Sequence, residues 1–119
     1  MSEHIQRLDE IETYAPPGHS GTTNHRLVSA AQTNGAFEMI HGRLEPGGHA
    51  EKHHHETEYQ AFYVLSGAAD VALGDEPPVR VEAGSVVRLP PGLDHEVTSL
   101  GPDDLELLLV YSPPLTRTE

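Results

Sequence analysis

From Arg26 onward the chain is a succession of short apolar runs, each cut by glycine or proline. Alternation is clearest over Gln60–Ser66. There Gln60, Phe62, Val64 and Ser66 share one face of an extended strand, and Ala61, Tyr63 and Leu65 share the other. Read in this way, the pattern predicts strands at Arg26–Ala30, Ala36–Leu44, His53–His55, Gln60–Ser66, Ala68–Leu73, Val79–Glu82, Ser85–Leu89, His95–Ser99 and Leu105–Tyr111. The breaks between them are PGG at 46–48, Gly67, GDEPP at 74–78, Gly84, PPG at 90–92 and GPDD at 101–104. Many short strands with turn signals at this spacing predict an all-β antiparallel sandwich or barrel, not a βαβ fold. No segment after residue 26 sustains a helical period. Residues 1–25 are polar and turn-rich, with the stretch YAPPGHSGTTNHR, and are expected to form an N-terminal arm with little core of its own. Residues 26–114 would form the domain, and 115–119 a short C-terminal tail.

Composition narrows the class. A chain of 119 residues fits one domain with one core. No apolar run approaches the roughly 18 residues of a membrane span, so no membrane partner is expected. MSEHIQRLDEIETY has no apolar leader core and there is no cysteine, which together predict a cytoplasmic, disulfide-free protein without thiolate ligands. The net charge of −12, with 19 acidic residues against 7 basic ones, argues against nucleic acid, because phosphates are held by clustered Lys and Arg. The unusual item is 9 histidines, of which His49, His53, His54 and His55 lie close together.

That cluster has the form of a site. Successive strand residues alternate faces, so His53 and His55 can offer two imidazoles to one point while His54 points away. Gln60 lies an odd number of residues beyond His55. A turn or bulge at Glu56–Glu58 must therefore reset the register if Gln60 is to join the pair. His95 follows a Pro-Gly turn, opens its own strand and can approach the same point from another direction. The bland alternatives are a surface histidine patch and an ordinary half-buried His95.

The segment Gly47-(5)-His53-x-His55-(4)-Gln60-(6)-Gly67 resembles the first signature of the cupin superfamily, with Gln60 where glutamate is usual. The segment Gly84-(5)-Pro90-x-Gly92-(2)-His95-(3)-Ser99 resembles the second, with Ser99 where asparagine is frequent. The resemblance covers about residues 36–112. It implies a double-stranded β-helix (jelly-roll) barrel, a homodimer, and a divalent metal on His53, His55, Gln60 and His95. Three imidazoles and an amide oxygen suit Zn, Ni, Fe, Mn or Co.

A glutamine at this position is neutral and cannot act as a general base near neutral pH, so the centre would keep its full metal charge. Glu58 shares Gln60's strand parity and is a candidate base, against the alternative of an exposed turn carboxylate. His49 and His41 read as an exposed loop histidine and an edge-strand histidine. Arg43 and Arg88 could fork onto a substrate carboxylate but equally suit the surface. The ligand set and the ending LELLLVYSPP are similar to those of cupins that linearise unsaturated uronates, and the His-and-Gln centre to that of polyketide-cyclase cupins. In the uronate group an Asp and an aromatic enter the barrel from the last strand. Here the corresponding residues are Leu109 and Tyr111, so the aromatic is kept and the acid is lost. Tyr111 and Glu58 are thus the candidate catalytic groups. The expected function is Lewis-acid chemistry, of the isomerase, cyclase or lyase type, on an oxygen-rich small-molecule substrate. A cupin dioxygenase with a redox metal, or a non-catalytic ligand-binding or sensor barrel, is the alternative.

Overall fold

The computed structural model describes residues 2–115. They form nine strands: β1 (Thr13–Tyr14), β2 (His19–Val28), β3 (Glu38–His53), β4 (Tyr59–Ser66), β5 (Ala68–Leu73), β6 (Val79–Glu82), β7 (Val86–Leu89), β8 (His95–Ser99) and β9 (Leu105–Ser112). Two single 3-10 turns, Leu8–Glu10 and Ala31–Thr33, are the helical content among these residues. No helix in them is long and apolar enough to cross a membrane.

All pairing is antiparallel, in the order β6-β5-β8-β3-β9-β4-β7, with β2 along the other edge of β3 and β1 on β2. The sheet curls into a jelly-roll barrel because β3 belongs to both halves. Its first part, Glu38–Leu44, pairs with β9, and its last part, from His49 to His53, pairs with β8. Alternate residues point inward, and Leu44, Phe62, Val64, Val71, Leu89, Val97, Leu105 and Leu107 meet in one core. On β4 the inward set is Gln60, Phe62 and Val64, and Tyr63 and Leu65 are exposed, as the alternation predicts.

Three elements depart from the pattern-based expectation, and the third, the strand expected at His53–His55, exists only as His53 at the end of β3, with His54 and His55 in the loop beyond it. The PGG at 46–48 does not end a strand. It forms a corner inside the 16-residue β3. Across it, Ser20 pairs with His49 and Thr22 with Leu44, so the four residues Glu45–Gly48 oppose the single Gly21. A bulge of this kind bends a strand and lets it pass from one sheet to the other. The corner requires glycine. Gly47 has φ +82°, and a Cβ on Gly48 would lie 2.8 Å from the Glu45 carbonyl oxygen and 3.1 Å from that of Gly21. The second departure is β2, which begins at His19 and not Arg26. The segment expected to be an arm thus supplies β1 and most of β2. Its inward residues are polar, so the apolar pattern gives no sign of the strand. Of the expected tail, Thr116–Glu119 lie outside the described residues.

Gly67, at the β4–β5 turn, also has φ +82°, and a Cβ there would lie 2.5 Å from the Asp104 carbonyl oxygen; Gly47 shares the φ but has open space around it. Both Gly→Ala substitutions incur the left-handed backbone strain of about 1–3 kcal/mol, and only Gly67→Ala adds a backbone collision. Urea unfolding should therefore show Gly67→Ala as clearly the less stable of the two. Equal midpoints would contradict this packing.

Candidate metal centre

His53 ends β3 and His95 opens β8, and the two are direct cross-strand partners. Antiparallel partners present their side chains to the same face, so the rings stand together with centroids 4.3 Å apart. His55, two residues past the strand end, brings a third ring to 5.0 Å from His53 and 5.6 Å from His95. One nitrogen from each of the three lies within 4.8 Å of the others. These three imidazoles could hold a metal ion.

Hydrogen bonds orient the rings for that role. His53 Nδ1 lies 2.7 Å from the Glu51 carbonyl and His95 Nδ1 lies 3.0 Å from the Leu93 carbonyl. A carbonyl only accepts, so Nδ1 donates in each ring and the Nε2 lone pair is left for the interior. Histidine ligands are commonly held in this way. The loop is fixed as well: the Gly92 amide donates to the His55 carbonyl at 2.8 Å, joining the histidine loop to the Pro-Gly turn before His95. Burial, together with the neighbouring His53 and His55, pushes the His95 pKa down to about 4 against the opposing bond from Leu93, so its ring is neutral at pH 7.

Gln60 is buried at the start of β4, in register with Tyr111 on β9 and Leu89 on β7. The loop after His53 restores its parity: residues 54–58 are not in a strand, and β4 restarts with Gln60 inward. Gln60 lines a small cavity of about 40 Å³ together with His53, His95, Phe62 and Tyr111. Two donor atoms on this cavity, Gln60 Oε1 and His95 Nε2, are buried without a hydrogen-bond partner among the described residues. Buried polar atoms are nearly always satisfied, and an unsatisfied one typically costs about 1–3 kcal/mol. Two such atoms beside His53 suit a lone-pair-accepting partner, which a divalent cation is. The residue set fits a metal.

A larger cavity of about 350 Å³ adjoins the histidines and is lined by His53, His55 and Tyr111 and by residues of β2, β3 and β9. The Tyr111 ring stands edge-on to His55 at 5.5 Å. Leu109, on the same strand face, lines both cavities. Glu58 is not an exposed turn residue: it is 5% exposed, with Oε1 3.4 Å from the Thr57 amide. It lines neither cavity among the described residues. His54 faces outward between Asp94 (2.8 Å) and Glu56 (2.7 Å), whose carboxylates raise its pKa.

His41 is also not at an edge. It lies within β3, flanked by β2 and β9, is buried on the outer side of the sheet, and sits 3.1 Å from Glu106. Arg43 is on that side too, 3.2 Å from Glu106, and Arg88 is exposed. His49 bridges Thr98 and Glu96 away from the centre.

Several cavity residues have no counterpart among the sequence candidates, His19 and Arg26 among them. His19 on β2 lines both cavities, with its ring 6.4 Å from His53 and its Nδ1 3.2 Å from Thr22 Oγ1. Burial, then the charges of His53 and His49, lower its pKa to about 4. Arg26, also on β2, lines the larger cavity. Only the unusual histidine count hinted at the first, and nothing local marked the second.

A curled antiparallel barrel with a three-histidine pocket defines a class, the cupin-type β-barrels with a possible metal site. The sequence profile of the family described as "Cupin domain" matches residues 40–111, and the chain belongs to that family. A relative named "Oxalate-binding protein" from Thermotoga maritima is 33% identical over 86 residues, covering 72% of this chain and 70% of the relative. The crystal structure of a predicted oxalate decarboxylase from Thermotoga maritima superposes with a TM-score of 0.80 at 29% identity, covering 92% of this chain and 98% of that one. The structure of KdgF from Halomonas sp. does so with a TM-score of 0.73 at 25% identity, covering 88% and 90%.

The outer-face cluster allows a titration test. Burial raises the Glu106 pKa, but bonds from Ser66 (3.0 Å), Arg43 and His41 outweigh it and hold the carboxyl below its ordinary value. A depressed carboxyl stabilises the fold above its unfolded pKa, and that stabilisation is lost as pH falls through the folded pKa. Carboxyl-carbon NMR should show Glu106 titrating below 4.5 in the native chain, and moving upward in Ser66→Ala with Arg43→Gln. An unmoved midpoint would refute these contacts.

Proposed function

We propose that this cupin holds a divalent metal on His53, His55, His95 and Gln60, and that the centre acts as a Lewis acid on an oxygen-rich small molecule in the adjoining cavity. The observation that carries this reading is the pair of buried, unsatisfied atoms, Gln60 Oε1 and His95 Nε2, on one small cavity with His53. The metal is of the class Zn, Ni, Fe, Mn or Co. When bound, it would supply polarisation of a substrate carbonyl, enol or carboxylate oxygen.

The chain's own residues set the terms. Three neutral imidazoles and a neutral amide leave the centre's charge unreduced, which favours anionic oxygen donors. Gln60 accepts no proton near neutral pH, so proton transfer falls to other groups. Tyr111 lines both cavities, and its hydroxyl is the proposed donor at the substrate oxygen. Glu58, two residues from Gln60 and buried, lines neither cavity, so its proposed place is in positioning the β4 end and not in proton exchange with the substrate. Leu109 and Leu107 keep water from the Tyr111 side of the cavity. The reaction class is isomerisation, cyclisation or ring-opening.

A second reading, a metal-dependent ligand-binding barrel without turnover, has a specific observation behind it. Leu109 cannot move a proton, and the Thermotoga relative is named for binding. The proposed homodimer has a candidate face in the exposed Tyr59, Tyr63, Leu65 and Val86 on β4 and β7.

Elemental analysis of untagged protein purified without chelator should find close to one divalent metal per chain. His53→Ala with His55→Ala should lose it, and His54→Ala should keep it. Unchanged metal in the double variant would end the proposal. With metal present, Tyr111→Phe separates the two readings: a large fall in turnover with little change in ligand affinity marks the enzyme. Ligand affinity without turnover in the wild type marks the binding barrel.

A further inference from the structure

The larger cavity is lined unevenly. Ile40, Leu44, Leu107 and Leu109 give it an apolar wall, whereas β2 contributes Thr22, Asn24 and Arg26, alternate residues on one side of an extended strand. The apolar core of the barrel includes no residue of β2, so the inward Thr22, Asn24 and Arg26 face the cavity and not that core. Register sets Thr22 beside Leu44 and Arg26 beside Ile40. The four residue steps from Thr22 to Arg26 span about 13 Å of strand at about 3.3 Å per residue.

Among the described residues, Arg26 is the sole Lys or Arg lining this cavity. Its guanidinium carbon sits 4.3 Å over the Tyr14 ring, and its Nε lies 3.4 Å from Oε2 of Glu38, which is itself 1% exposed. The Glu38 Oε1 accepts from the Leu115 amide at 3.3 Å, which fixes the carboxylate. Stacking and a contact through Nε immobilise the guanidinium plane, and its terminal nitrogens remain the fork that suits a second carboxylate. Gly42 keeps space open beside this strand. A Cβ there would meet Asn24 Oδ1 at 3.0 Å and Leu109 Cδ1 at 3.2 Å, both on the cavity wall. The volume, about 350 Å³, is in the range of small-molecule sites and far more than a two-carbon diacid fills.

We propose that Arg26 is a specificity-determining residue that binds the distal carboxylate of an elongated organic acid. The acid's other end carries the oxygens that reach the metal centre, and its carbon chain lies along the leucine wall. The proposal rests on the reading of His53, His55, Gln60 and His95 as that centre.

The test is calorimetric titration of zinc-loaded protein with α-ketoglutarate and α-ketobutyrate, which share a chelating end and differ in the distal carboxylate. Wild type should bind α-ketoglutarate at least about tenfold more tightly, the scale of a charge-assisted bidentate contact. Arg26→Gln should erase that preference and leave α-ketobutyrate affinity unchanged. Because this variant removes the guanidinium beside the buried Glu38 carboxylate, Arg26→Gln combined with Glu38→Gln is the second variant and should behave alike. No binding of either acid, no preference in wild type, or a preference surviving in both variants overturns the proposal. Repeating the titrations on metal-stripped protein separates the two claims. Unchanged α-ketobutyrate affinity there defeats the metal reading, while the presence or loss of the α-ketoglutarate preference still decides the role of Arg26.

Discussion

The arrangement depends on the cost of burying a lone pair without a partner. His95 Nε2 and Gln60 Oε1 are withdrawn from water beside Phe62, Val97 and Leu107, where an unsatisfied polar atom destabilises the fold. Val or Leu at such positions would carry no comparable cost. Here the chain instead spends hydrogen bonds from two carbonyls, those of Glu51 and Leu93, on holding two rings so that their lone pairs face inward. A bound cation would offset what the fold leaves unsatisfied, and stability and metal affinity would then be linked properties of one cluster.

That cluster exists only because β3 turns a corner. The bulge of Glu45–Gly48 against Gly21 carries the strand from β9 to β8, and its far end delivers His53 opposite His95. On either side of the same corner β2 pairs with β3 between Met39 and Ala50, which brings His19, Thr22, Asn24 and Arg26 to the cavity. The corner glycines at 21, 47 and 48 thus help decide where the imidazoles stand. Fold and site share one constraint.

Much of this is legible in the residues themselves. Strands β5, β6 and β8 follow from alternation and their glycine breaks, and the H-x-H pair with a later His95 marks the imidazole cluster by spacing. What stays hidden depends on partners distant in sequence. A strand whose inward face is Thr22, Asn24 and Arg26 carries no apolar alternation, because it lines a cavity and not the core. PGG reads locally as a turn, and only its pairing with Gly21 makes it a bulge. His41 appears as an edge histidine until β2 is known to cover that side of β3. Glu58 appears as a turn carboxylate, yet the folded chain buries it.

The central claim is that three imidazoles and one amide oxygen form a single metal centre. X-ray absorption spectroscopy of the zinc-loaded protein tests it most directly. The account predicts a first shell dominated by three imidazole nitrogens, at the roughly 2.0–2.1 Å usual for zinc, with the multiple-scattering pattern of histidine rings. It also predicts a change of the remaining oxygen shell in Gln60→Ala while the imidazole count stays at three. An all-oxygen shell, or one with a single imidazole, would contradict it.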